Sequence, residues 1–179
     1  LATALFFGIR TDTASFTRGV SPADLMAVAF LSPFVYKPLL DLFESPPMPS
    51  ATMDVISTAL DGRDVSGGVT VAWLGDVPDQ TSIVQAVEFL SREEGVVTAI
   101  AAGILGEKVH ISARSRDQER DLGSNLHRHF KGAGSAGGHQ GAAGGQFDVE
   151  TLCKRLSVDR SGLGKALTGS LRKMMLDGQ

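Results

Sequence analysis

The stretch Val96–Ala113 constrains this chain more than any other. Val96–Leu105 is a largely apolar run, apolar enough for a strand covered on both faces. Gly106-Glu107 follows as a two-residue turn of the Gly-X kind. Lys108–Ala113 then returns with period-two alternation: Val109, Ile111 and Ala113 on one side, Lys108, His110 and Ser112 on the other. A hairpin with one strand buried on both faces needs further strands beside it and helices over it. Val69–Leu74, a β-branched run with Gly-Gly before it and Gly after it, supplies a strand. Asp79–Arg92 supplies a helix, with Ile83, Val84, Ala86, Val87 and Leu90 at helical spacing. The second half is therefore expected to be α/β: a small mixed sheet with flanking helices.

The first half reads as mostly helical. Leu1–Ile9 is nearly all apolar, and its periodicity does not separate helix from strand. Ser21-Pro22-Ala23-Asp24 is a helix start, with a capping serine, a proline in the first turn and an acid three residues on. Leu25, Met26, Ala29 and Phe30 are the expected buried stripe, and Pro33 the stop. A short helix is expected around Leu39–Phe43. Pro46-Pro47-Met48-Pro49 favours an extended connector, followed by a helix from about Thr52 to Leu60, with Val55, Ile56 and Leu60 inward and Asp61-Gly62 ending it.

Ser115-Arg116-Asp117-Gln118 leads into a helix at about Arg120–Phe130. Residues 132–145 hold seven glycines in fourteen positions. Gln146–Val149 is expected as a short closing strand. Gly162–Leu176 is a final helix, with Leu163, Leu167, Leu171 and Met174 on one face. That face is expected to pack on its own domain rather than on a partner helix.

Composition narrows function. With 17 basic and 20 acidic residues the net charge is −3, which excludes a strongly cationic duplex-binding protein but leaves room for a small phosphate site. One cysteine, Cys153, excludes an intramolecular disulfide framework and fits a reducing, cytoplasmic compartment. No apolar run approaches the ~20 residues of a spanning helix, and no basic region marks the start as a signal peptide. A chain opening at Leu1 inside an apolar pattern is read as a piece of a longer protein; a processed N-terminus is the other reading.

Three places carry possible chemistry. Asp12, in Thr11-Asp12-Thr13, can bind a hard metal or close a turn; the local sequence favours the turn, since no second ligand stands beside it. Arg114, in Ser112-Ala113-Arg114-Ser115-Arg116, can present its planar fork to a phosphate at a strand end. It can equally be a surface arginine paired with Asp117 or Asp121. The glycine-rich 132–145 with His139 can bring backbone N–H groups close to an anion and add an imidazole, or be a linker. His110, His127 and His129 are read as surface positions.

In this order, Gly8-Ile9-Arg10-Thr11-Asp12-Thr13, Ser112-Ala113-Arg114-Ser115 and Gly137-Gly138-His139 resemble the C-terminal part of the DHH phosphoesterases. That family includes RecJ-like exonucleases, oligoribonucleases, cyclic dinucleotide phosphodiesterases and exopolyphosphatases. The resemblance spans roughly residues 1–150. It implies that residues 1–45 are a helical remnant of the catalytic lobe and 46–65 a proline-rich connector and helix. Residues 66–150 would then be the DHH-associated substrate domain, with 151–179 a helical tail.

The resemblance further implies that Asp12 is a metal-binding aspartate for Mn²⁺ or Mg²⁺. Arg114, with Ser115 and Arg116, and Gly137, Gly138 and His139 would hold a nucleotide, short oligonucleotide or other phosphate ester. Ser135-Ala136 departs from the three consecutive glycines of many relatives, and the Asp-His-His signature is absent. Two-metal hydrolysis needs several carboxylates and imidazoles. The chain alone is therefore expected to be inactive and without bound metal, and to work with a missing N-terminal DHH lobe. The alternative is a non-catalytic nucleotide or single-strand-binding module; few aromatics and an acidic balance weigh against it. A homo-oligomer is compatible with either reading.

Overall fold

A computed structural model describes residues 1–17, 19–117, 119–139 and 141–176. The chain divides into two compact units, Leu1–Met48 and Pro49–Gln179. In the first, the apolar opening resolves as a helix, α1 (Ala2–Asp12). Helix α2 (Pro22–Leu31) starts on a complete capping box: the Ser21 hydroxyl accepts from the Asp24 N–H at 3.2 Å, and Asp24 Oδ2 accepts from the Ser21 N–H at 2.8 Å. It gives way to a 3₁₀ turn at Ser32–Phe34, followed by α3 (Lys37–Glu44). Arg10 pairs with Glu44, the Phe7 and Phe43 rings lie 5.3 Å apart, and the Tyr36 N–H donates to Thr3 Oγ1 at 3.0 Å.

The expected stripe on α2 is not buried. Leu25, Met26 and Phe30 are 53%, 68% and 72% exposed, whereas the small Ala27 and the branched Val28 are partly covered. Periodicity located an apolar side of the helix but not what covers it.

Directly after α1 the backbone takes an unusual course. Ala14, Ser15 and Phe16 are consecutive left-handed residues, with φ of 47°, 55° and 67°. Each such non-glycine residue costs about 1–2 kcal/mol, and no glycine or asparagine marked the turn in advance.

The second unit opens with α4 (Ser50–Gly62), in which Val55, Ile56 and Ala59 are buried while Leu60 stays 38% exposed. The helix runs through Asp61 and Gly62 instead of stopping before them. An edge strand not foreseen from the sequence, β1 (Asp64–Ser66), pairs antiparallel with β2 (Val69–Asp76). Helix α5 (Gln80–Leu90) is capped by Asp79, whose Oδ1 accepts from the Ser82 N–H at 2.8 Å, and returns the chain to β3 (Thr98–Leu105), parallel to β2. The hairpin to β4 (Lys108–Ser115) closes on Gly106 at φ +63°, with Leu105 opposite Lys108.

Asp121 caps α6 (Leu122–His129). Of the stretch leading into it, Gln118 lies outside the described residues. The glycine-rich tract then forms neither loop nor linker. It is a hairpin: β5 (Gly134–His139) against β6 (Ala142–Asp148), so the closing strand begins four residues earlier than expected. Helices α7 (Val149–Leu156) and α8 (Leu163–Leu176) complete the fold. The strand order is β1-β2-β3-β4-β6-β5, with only β2 and β3 parallel among the described strands.

Helices cover both faces of the sheet. On one, Val109, Ile111 and Ala113 join Leu122, Leu126, Leu163, Leu167 and Leu171 in a single core. The inward residue at the end of α8 is Met175 at 1% exposure rather than the expected Met174. On the other face, Ala72, Ala99, Ala101 and Gly103 are small, and α4 and α5 settle onto β2, β3 and β4. Beneath α6 the glycines have a packing role. A Cβ on Gly123 would stand 2.7 Å from the Gly138 nitrogen, so helix and strand touch backbone to backbone.

Two outcomes follow for stability, each read by denaturant unfolding. Gly123→Ala pushes α6 off β5 and lowers stability by about 1–3 kcal/mol. Ser15→Gly relieves one left-handed residue and raises the stability of its unit by ~1 kcal/mol.

Candidate functional site

The alternation of β4 that buries Val109, Ile111 and Ala113 turns His110, Ser112 and Arg114 to the face bearing α5. In antiparallel strands, residues directly opposite share a face. Arg114 stands opposite Ala142 on β6, and Ala142 opposite His139 on β5. The arginine and the histidine thus lie in one cross-strand row although 25 residues separate them in sequence. The Ser115 N–H donates to the Gly141 carbonyl at 2.9 Å and ties the hairpin tip to the end of β4. By the same register Ser112, Gly144 and Gly137 form the next row, and His110, Gln146 and Ser135 the one after.

Beside these rows the cover of α5 ends and leaves a cavity of about 330 Å³. Its floor includes His110, Ser112, Arg114, Gly138 and His139, and its wall is the first turns of α5, with Gln80, Ile83 and Val84. That volume is at the lower end of small-ligand pockets.

Arg114 is held in place before any ligand arrives. Its Nε donates to Glu88 Oε1 on α5 at 2.6 Å, and Nη1 to the Ala113 carbonyl at 3.0 Å. Its partner is Glu88, not Asp117 or Asp121. Asp117 lies 3.6 Å from Arg120, and Asp121 accepts from the Ser124 hydroxyl at 2.6 Å and from the Ser124 N–H at 2.9 Å, bonds that, the hydroxyl first, hold its carboxyl low. The α5 carboxylate was hidden from sequence reasoning because 26 residues separate it from Arg114.

The remaining candidates divide. Gly137, Gly138 and His139 reach the site as an edge strand rather than as a loop. Ser115 and Arg116 do not line the main cavity; with Arg114 they face a smaller hollow of about 240 Å³. The Ser115 hydroxyl bonds Thr98 Oγ1 at 2.9 Å, and Arg116 Nη2 donates to the Ser91 carbonyl at 2.8 Å. Asp12 is the exposed last residue of α1, at the helix end where a negative charge is disfavoured. Among the described residues no three His, Cys, Asp or Glu side chains gather into a metal-holding group. The described residues of this chain do not by themselves fit a two-ion centre.

Two histidines depart from the surface reading. His110 is only 8% exposed, and burial pushes its pKa down. His129 is half-buried, with Nε2 2.8 Å from Ser170 Oγ on α8; burial first, then Arg155 and Lys173, lower its pKa. His127 is exposed as expected.

Fold and cavity define an α/β domain with an open, cation-bearing hollow toward the far edge of a mixed sheet. The DHHA1 domain family matches residues 66–157, and the chain belongs to it. An uncharacterized protein of Methanocaldococcus jannaschii is 34% identical over 99% of this chain, which covers 36% of that protein. Among solved structures, an exopolyphosphatase-related protein from Bacteroides fragilis aligns over 99% of this chain and 52% of its own, with a TM-score of 0.68 at 17% identity. The chain thus spans about a third to a half of these relatives. The second likeness concerns the fold. Among the described residues no helix is long and apolar enough to cross a membrane.

The two shifted histidines have a consequence for acid stability. Both have folded-state pKa values below their unfolded ones, so the unfolded chain takes up protons first as pH falls. Stability is therefore expected to drop as pH decreases from about 7 through the unfolded histidine value of roughly 6.5. Replacing either histidine with glutamine should flatten that slope, as measured by urea midpoints between pH 5 and 7.5.

Proposed function

We propose that the Arg114–His139 row binds the phosphate of a nucleotide, a short oligonucleotide or another phosphate ester. In this reading the chain is the substrate-holding part of a metal-dependent DHH phosphoesterase. The observation that carries it is the register: β4, β6 and β5 align a guanidinium and an imidazole at one end of the cavity. A guanidinium offers two parallel N–H donors to an anion. The Nε–H already directed at Glu88 turns the fork and limits its freedom, so less order has to be imposed on binding. The imidazole adds a donor from the opposite side of the row. The Mn²⁺ or Mg²⁺ ions of such an enzyme would need ligands from outside this chain beside Asp12, and the hydrolytic step would belong to that completed centre.

The reading as a strand-tracking module has less support. Tracking of single strands relies on stacking aromatics along a basic groove, and no Phe, Tyr or Trp is among the described residues lining this cavity.

Calorimetric titration with nucleoside monophosphates and short oligonucleotides tests the proposal. Arg114→Ala is expected to weaken binding by about ten- to a hundredfold, the range of a charge-assisted hydrogen bond. His139→Ala should weaken it by roughly tenfold. Binding unchanged in both variants would remove the assignment.

A further inference from the structure

The far edge of the sheet is open. β5 (Gly134–His139) is the last strand in the order, and its register on β6 runs without a break. The Asp148 N–H donates to the Ala133 carbonyl at 3.0 Å, which makes Ala133 and Asp148 a hydrogen-bonded pair. Such pairs alternate along an antiparallel ladder. Ser135, Gly137 and His139 therefore bond inward to β6, and the N–H and C=O groups of Gly134, Ala136 and Gly138 point away from it. No turn or loop backbone among the described residues supplies those three with a partner. Exposed edges are ordinarily blunted by lysine, proline or a bulge, and β5 has none of these.

Hollows flank this edge on both faces. Toward α6 lies one of about 480 Å³, with His127, Arg128 and Lys131 on its wall and Ala136, Gly137 and Gly138 on its floor. Toward α5 lies one of about 290 Å³, bordered by the uncharged Gln80, Ser135 and Gln146. A strand laid along β5 sends alternate side chains into the two. Arg128 and Lys131 are exposed and have no ion-pair partner within 4 Å among the described residues. Asp121, the one carboxylate among the described residues of that wall, is occupied in capping through Ser124.

Charge complementarity thus asks for acids on one face of the incoming strand and uncharged polar side chains on the other. The backbone selects a peptide over a nucleic acid. The edge presents carbonyl oxygens as well as N–H groups, a peptide answers both, and a phosphodiester offers acceptors only. Two copies of this chain joined edge to edge would bring two basic walls together, which like charges oppose.

We infer that β5 is a docking edge for an extended acidic segment of another protein, added to the sheet as a further strand. The inference does not rest on the phosphate reading proposed above.

The test follows the amide resonances of the chain during titration with a blocked peptide of about eight residues that alternates glutamate and threonine. The Gly134 and Ala136 amides should shift by about 1 mM peptide. The same peptide with lysine in place of glutamate should bind at least about tenfold more weakly. Arg128→Glu combined with Lys131→Glu, both at exposed positions, should reverse the order of the two peptides. N-methylating the glutamate nitrogens blocks one side of the added strand, and N-methylating the threonine nitrogens blocks the other. One version should lose binding and the other keep it, since a single set of N–H groups faces β5. Unmoved edge amides, an unreversed preference in the double variant, or equal binding of the two methylated peptides overturns the inference. So does a short oligothymidylate that binds this edge more tightly than the acidic peptide, which would make it a nucleic-acid surface. Sedimentation as a dimer with these amides protected would make a second copy the occupant and overturn it too.

Discussion

Burial of Val109, Ile111 and Ala113 is the interaction on which the site depends. These three side chains enter a core shared with α6 and α8, and all are nearly free of solvent. Because side chains alternate along a strand, their burial leaves His110, Ser112 and Arg114 on the opposite face. A slip of one residue would drive a guanidinium and an imidazole into that core and expose the aliphatic set. Hydrophobic packing on one side of the sheet therefore positions the polar chemistry on the other. The pairing of β6 with β4 and of β5 with β6 carries the same register outward to His139.

The second constraint is the small size of the residues under α5. Ala99, Ala101 and Gly103 stand opposite Arg114, Ser112 and His110 on β3. With no bulk beneath it, α5 lies close to the sheet and brings Glu88 within reach of Arg114. Its cover stops short of β6 and β5, and the cavity is the space that remains. Bulkier residues on β3 would lift the helix and release the arginine from its carboxylate. The same closeness recurs on the other face, where Gly123 on α6 meets the backbone of β5. There the glycine-rich composition serves packing as well as any ligand.

The N-terminal unit presents a different balance. It holds together through Arg10–Glu44, Phe7–Phe43 and the Thr3–Tyr36 hydrogen bond, while Leu25, Met26, Phe30 and Phe34 remain more than half exposed. Asp12 closes its first helix and is followed by the three left-handed residues. Strained backbone of this kind concentrates at functional positions. A single exposed carboxylate nevertheless has no partner ligands among the described residues with which to hold an ion.

Local features were legible from the amino acids alone. The cap at Ser21, the Gly106 turn and the alternation of β4 are encoded by neighbours within a few positions, where backbone sterics and hydrogen bonding act directly. The ordered motifs around Asp12, Arg114 and His139 pointed to the family for the same reason: they are short strings of residues. The glycine tract misled because glycine states no preference; whether it forms a loop or an edge strand depends on β6 and α6 accepting it. Glu88 beside Arg114, the burial of His110 and the exposure of Leu25, Met26 and Phe30 all depend on which distant segments meet. Contacts across tens of residues are settled by the packing of whole elements, and that information exists only in the tertiary structure.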